Sequence, residues 1–268
     1  MLGDAPGEIL NPERDPLLES TDAVVFGDTA LTVAVYPIEA GVTWWREAAS
    51  LVWRDPLRWM ASALVFLVVC AATLLVPVIG PLVLHVVQTI LIGGLCIGCR
   101  AVDLGEPFKV GMIFAGFRSE YLGRLTTMAL ALVGGFVLLF FVAGVLGLAF
   151  TVSELTGFSE ISALPAILPG VLFLTLVITV FAMLYWFAPA LIVLHGTGPI
   201  EAMKLSFMGS LKNIAPMLSF GIVALLLLLL GILTAGIGFL LIGPIAIATI
   251  YTSTRAVFGA ARARRERV

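Results

Sequence analysis

Two histidines and three cysteines are the side chains of this 268-residue chain best suited to bind a metal or a cofactor. His85, Gln88 and Thr89 share one face of an apolar segment, with Cys96 further along it. Polar groups grouped this way in an apolar helix line a pocket, or they hydrogen-bond to a neighbouring helix for about 0.6 kcal/mol each. Both readings stay open, and His85, Gln88 and Thr89 are the candidate ligand-binding residues. His195 lies at the opposite end of another apolar segment, so it is not expected to share an iron with His85. Cys96 and Cys99, at i and i+3, face the same way, but a metal site needs further thiolate or imidazole ligands that are not nearby. They read as packing residues. No catalytic set, metal or cofactor is expected.

These residues must be positioned by membrane-spanning helices. With 60% hydrophobic and 12% charged residues, the chain lies outside the globular range. Six apolar runs, at 57–76, 82–99, 122–151, 163–194, 214–233 and 236–258, are each long enough to cross the hydrocarbon core as a helix. From residue 60 to 99, and again from 125 to 151, there is no Asp, Glu, Lys or Arg. Ionisable residues at membrane depth mark proton relays and ion paths, so their scarcity argues against a proton- or sodium-driven pump and against an intramembrane protease or transferase.

Charge sets the expected topology. Arg14, Arg46, Arg54 and Arg58 lie before or at the start of the first run, and Arg100, Lys109, Arg118 and Arg124 lie between the second and the third or at the start of the third. Lys204 and Lys212 separate the fourth from the fifth, and Arg255, Arg262, Arg264, Arg265 and Arg267 close the chain. The connectors around residues 77–81, 152–162 and 234–238 contain no basic residue. Lys and Arg resist translocation, which places both termini in the cytoplasm and three hairpins in the membrane. The 1–39 segment carries eight acids, one Arg and four prolines and reads as a disordered acidic tail. Residues 40–258 form the six-helix domain, and 259–268 a basic tail facing the inner leaflet.

Each hairpin is preceded by a short segment of helical periodicity, at 41–55, 107–121 and 199–213. In the first, Val42, Trp45, Ala49 and Trp53 make an apolar stripe; in the third, Ile200, Met203, Phe207 and Leu211 do. Pro107 and Pro199 suit a first helical turn. Such amphipathic helices lie in the membrane interface, apolar face down. The pattern repeats three times without residue identity, and Trp44, Trp45, Trp53 and Trp59 suit the headgroup belt. Gly94 and Gly98 offer a small-xxx-small contact face. Val78-Ile-Gly-Pro81 and Leu241-Ile-Gly-Pro244 should break or kink the chain.

Several phrases carry a resemblance: Trp45-Arg-Glu-Ala, Trp53-Arg-Asp-Pro-Leu-Arg-Trp59, Gly98-Cys-Arg-Ala-Val-Asp-Leu-Gly-Glu-Pro107, Phe114-Ala-Gly-Phe117 and Trp186-Phe-Ala-Pro-Ala-Leu191. Over residues 40–258 the chain resembles an uncharacterised family of proteobacterial inner-membrane proteins and, more distantly, the YciC-type membrane proteins. The resemblance implies six spans in a bacterial cytoplasmic membrane and carries no functional residue. The expected fold is an all-α membrane protein: six transmembrane helices in three hairpins, each led by a cytoplasmic-face amphipathic helix. The expected function is that of a non-enzymatic accessory, assembly or organising factor. The alternative is passive or partner-driven transport of a lipid or apolar small molecule. Membrane lipids and another integral membrane protein are the expected partners, nucleic acid is not, and oligomeric state is open.

Overall fold

A computed structural model describes residues 20–26, 29–155 and 163–265, with side chains described over 31–144 and 170–259. The expected disorder of residues 1–19, the connector at 156–162 with Glu160, and the last three residues lie outside the described residues. The chain builds β1 (Ser20–Phe26), β2 (Thr29–Val35), α1 (Ala40–Trp53), α2 (Pro56–Leu74) and α3 (Gly80–Asp103). A 3₁₀ segment (Val110–Phe117) follows, then α4 (Ser119–Leu155), α5 (Ala163–Tyr185), α6 (Ala188–His195), α7 (Pro199–Lys212), α8 (Ile214–Leu233) and α9 (Phe239–Arg265).

Among the described residues, six helices are long and apolar enough to cross a membrane, the fourth made of α5 and α6 together. The sequence supplies their ends. Asp55 accepts the Arg58 amide at 3.3 Å as the N-cap of α2, with Pro56 in the first turn. At the end of α3, Gly105 takes φ 86°, and the Glu106 and Gly105 amides return to the Ala101 and Val102 carbonyls, a Schellman closure. That turn sends the chain back along α3 as the 3₁₀ segment. The sequence predicts an α-helix there led by Pro107, but Pro107 stays in the irregular stretch before it.

Burial is uneven. About half of the α3 and α9 spans is buried (56% and 50%), against 17–22% for the other four. The buried portion lies at the basic end of the bundle, where α1, β2, the 3₁₀ segment, α6 and α7 close around α3 and α9. α2 and α3 pack along one another, but among the described residues α4 touches α5, and α8 touches α9, only sparsely. Their main partners are elsewhere: α3 for α4, α7 for α5 and α1 for α8.

The expected stripes keep Val42, Trp53, Ile200 and Leu211 on the outside, while Trp45 turns inward. The face α1 turns to the protein is Gly41, Trp44, Trp45, Ala48, Leu51 and Val52, while Val42 and Trp53 are exposed. α7 buries Ala202, Leu205, Ser206, Gly209 and Ser210 and exposes Ile200 and Leu211. Gly41, Ala48, Ala202 and Gly209 let backbones approach closely, while Trp44, Trp45, Leu51 and Leu205 fill the space between elements. A Cβ on Gly41 would run into the Pro216 carbonyl, the Ser219 hydroxyl and the Phe220 amide of α8.

Three further expectations change. The chain is not wholly helical. β1 and β2 form an antiparallel pair from Ser20↔Val35 to Phe26↔Thr29, so the disorder expected through residue 39 does not hold there. Five of the eight acids lie before residue 20, whereas 29–35 alternates Thr, Leu, Val and Val with small residues, a strand pattern. Asn213 acts as a pseudo-strand: its Oδ1 accepts the Tyr36 amide at 3.0 Å, and its Nδ2 donates to the Ala34 carbonyl at 3.0 Å. The 163–194 span is broken at Trp186–Phe187, and α7 satisfies the break. The Phe187 amide donates to Ser206 Oγ (2.9 Å), which donates to the Met183 carbonyl (2.6 Å). α9 runs on through Pro244, and continues to Arg265 where a tail was expected.

Val78, in the turn between α2 and α3, has φ 64°, and a β-branched residue is strained in that left-handed region. Val78→Gly is expected to stabilise the protein by about 1 kcal/mol. The measurement is the thermal unfolding midpoint of the purified protein in detergent.

Candidate functional site

Two polar clusters sit in the bundle. The first contains the residues singled out by sequence. His85 lies in the second turn of α3, half-buried, with its ring centroid 5.7 Å from that of Tyr185 on α5. Thr89, fully buried, donates from Oγ1 to the His85 carbonyl at 2.8 Å. Its oxygen lies 3.2 Å from the Tyr185 hydroxyl. A hydroxyl has one proton, so the Tyr185 O–H is the donor of the pair. His85 Nε2 is buried with no hydrogen-bond partner. Gln88 is half-buried one residue before Thr89. The structure thus joins His85 and Thr89 through Tyr185, which the sequence did not single out.

Cys96 and Cys99 are both fully buried, and among the described residues no three His, Cys, Asp or Glu side chains come together as metal ligands. Gly94 and Gly98 do form a close-contact face. What they meet is the 3₁₀ segment and the stretch leading into it: a Cβ on Gly94 would strike the Ile113 carbonyl, and one on Gly98 would lie 2.8 Å from the Phe108 ring. His195 sits at the end of α6, beside Gly196, whose carbonyl accepts from Arg124 at 2.7 Å. It therefore belongs to the basic end, while His85 is near the other end of α3.

Replacing His85 with alanine is expected to cost about 1 kcal/mol or less, because a lone hydrogen-bonding group in a helix bundle contributes little. The yield of inserted protein and its unfolding midpoint are the readouts.

The second cluster is ionic and links three elements at the basic end. Arg255 of α9 places Nη1 2.8 Å from Asp103 Oδ2, at the end of α3, and Nη2 2.6 Å from Glu47 Oε2 on α1. The Tyr251 hydroxyl donates to the same Asp103 oxygen at 2.7 Å, and the guanidinium lies 5.8 Å from the Tyr251 ring centroid. Only 19% of the Arg255 side chain and 12% of the Asp103 side chain is exposed. One planar fork thus spans two carboxylates on separate helices, a geometry lysine cannot reproduce. Around it, Thr252 donates to the Trp44 carbonyl (3.0 Å), Trp45 Nε1 to the Phe220 carbonyl (3.2 Å) and Trp186 Nε1 to Ser253 Oγ (3.2 Å). The arrangement clamps α1, α3 and α9 together. Sequence reasoning treated Arg255 as a charge following the sixth span, yet it lies inside the 236–258 run. A charge there is costly enough to demand a partner, and that was the available signal.

Comparison with known proteins gives one informative likeness. The chain is 27% identical over 190 residues to a probable inner membrane protein of Burkholderia thailandensis, an alignment covering 65% of this chain and 68% of that protein. No family model matches the chain. No solved structure matches it either. The six apolar helices among the described residues and this likeness together describe an integral membrane protein similar to a probable inner membrane protein.

Proposed function

We propose that the chain is a multi-pass protein of the bacterial cytoplasmic membrane that works by contact. In this reading it is a non-enzymatic accessory, assembly or organising factor for other membrane components. Three hairpins enter from the cytoplasm, both termini stay there, and α1, the 3₁₀ segment and α7 lie at the inner interface with Val42, Trp53, Ile200 and Leu211 toward lipid. The observation that carries the reading is how the polar groups are used. Arg255, Asp103, Glu47, Asn213 and Ser206 tie elements to one another at the basic end, while α2, α5 and α8 present long apolar faces. A rigid, internally tied base carrying apolar helical faces suits recognition of another integral protein. Purification in mild detergent, with identification of co-eluting proteins, tests this. A stoichiometric membrane protein should follow the wild type and be lost on substituting exposed α8 residues such as Leu225 and Leu229. Recovery of the chain alone under all mild conditions sinks the contact role. Orientation is tested separately, by labelling a tag after Val268 or a probe near Lys204 in intact cells.

A second reading is supported by the unpartnered His85 Nε2, whose ring lies 5.7 Å from that of Tyr185. Passive or partner-driven movement of a lipid or apolar small molecule would use His85, Gln88 and Thr89 as the lining. Reconstituted vesicles should then show lipid redistribution that falls in a His85→Ala, Thr89→Val variant.

A further inference from the structure

We infer that the elbow between α1 and α2 and the loop after α3 together form a binding site for one anionic phospholipid. The elbow carries Arg54 and Arg58, both exposed, and each guanidinium is held by a backbone carbonyl across the loop. Arg54 Nη1 donates to the Val102 carbonyl at 2.7 Å, and Arg58 Nη1 donates to the Phe108 carbonyl at 3.3 Å. These two bonds bring the elbow against the loop that contains Lys109, also exposed. A guanidinium has five N–H donors, so each arginine keeps donors for an outside acceptor. Of the acids close by in sequence, Asp103 is taken up by Arg255, and Asp55 pairs with Arg58 at 2.9 Å. Glu106 is exposed on the same loop. Arg54, Arg58 and Lys109 against Asp55 and Glu106 leave a net positive surface, with the two arginines held in place by backbone carbonyls.

The second observation is apolar. Trp53 is 59% exposed beside Arg54, and Leu57 is 78% exposed beside Arg58. From Leu57 an exposed stripe continues along α2 through Ala61, Leu64 and Val68, at helical spacing. A phosphate-binding cation cluster thus runs directly into an apolar ridge lying along a membrane span. A soluble phosphate would use the first feature alone, whereas a phospholipid uses both, with its phosphate at Arg54, Arg58 and Lys109 and an acyl chain along α2. The inference shares with the proposed function only the placement of this end at the headgroup layer, and it needs no protein partner.

The test uses the full chain in mild detergent, delipidated and then titrated with phosphatidylglycerol or with phosphatidylcholine of the same acyl composition. Binding is read by native mass spectrometry and by the unfolding midpoint. Wild type should retain phosphatidylglycerol preferentially. Arg58→Gln with Lys109→Gln, which spares the Arg54 contact to α3, should weaken that retention about thirtyfold. Arg46→Gln with Lys204→Gln removes the same charge from exposed positions elsewhere and should retain the lipid. Equal loss in the two double variants, equal retention of the two lipids, or equally good binding of water-soluble glycerol phosphate would each overturn the site. A partner protein still co-eluting in any of these outcomes leaves the contact role standing, so the two failures are distinguishable.

Discussion

Replacing Arg255 with leucine is expected to be the most damaging single change in the molecule. Arg255 holds Asp103 and Glu47 at 2.8 and 2.6 Å, and its removal leaves the Asp103 carboxylate with the Tyr251 hydroxyl as its remaining hydrogen bond. Breaking a buried ion pair by deleting one partner costs about 3–5 kcal/mol, because the surviving charge is uncompensated. A typical domain has only about 5–15 kcal/mol in all. The variant should therefore lose most of its monodisperse peak in detergent size-exclusion chromatography. The charge argument makes a sharper demand on the double variant. Arg255→Leu with Asp103→Asn removes the stranded charge and should recover a substantial part of that loss. Arg255→Lys should be intermediate, since an ammonium reaches one carboxylate well and two poorly. If Arg255→Leu behaves like wild type, or Asp103→Asn gives no recovery, the node does not hold α1, α3 and α9 together.

The spans could be read from sequence because about 20 apolar residues in a row have few other fates, and five of the six runs correspond to single helices. Which spans are central could not be read the same way. Leu95 on α3 is buried and Leu228 on α8 is exposed, yet in lipid either environment accepts leucine. The stripe on α1 illustrates the same difficulty. Hydrophobicity picks out Val42, Trp45, Ala49 and Trp53, but it does not separate the side that meets lipid from the side that meets protein, and Trp45 goes with Gly41, Trp44 and Ala48 to the protein. The strand pair is hidden in the composition of residues 1–39, where five acids before residue 20 mask the alternation at 29–35. His85 and Thr89 were legible as a pair by spacing; Tyr185 was not, since it arrives from α5, nearly 100 residues away. The ionic node was legible only as a debt, a lone arginine inside an apolar run, with its creditors on α1 and α3 unidentifiable without the fold.

Gly94→Ala is expected to cost about 2–3 kcal/mol, a large penalty for one methyl group, because the new atom has nowhere to go. It would meet the Ile113 carbonyl and lie 2.7 Å from the Ile113 carbonyl carbon and 2.8 Å from the Met112 carbonyl oxygen. These are backbone atoms, which cannot rotate aside as a side chain can. The contact is reciprocal: a Cβ on Gly116 of the 3₁₀ segment would strike the Ile90 carbonyl of α3. Two glycines, one on each element, therefore let two backbones touch, and either methyl should pry the segment from the helix. The consequence extends to α2, because the same stretch supplies Phe108, which stacks on Trp59 with centroids 4.0 Å apart and accepts from Arg58. Gly134, inside α4 with nothing within 4 Å of its Cβ position, is the internal control. Gly134→Ala should be neutral or stabilising by up to about 1 kcal/mol, since alanine is the better helix former. Unfolding midpoints of the two variants in the same detergent should move in opposite directions or differ widely. Equal shifts would mean that the 3₁₀ segment does not rest on α3, and the elbow it helps to hold would lose its support.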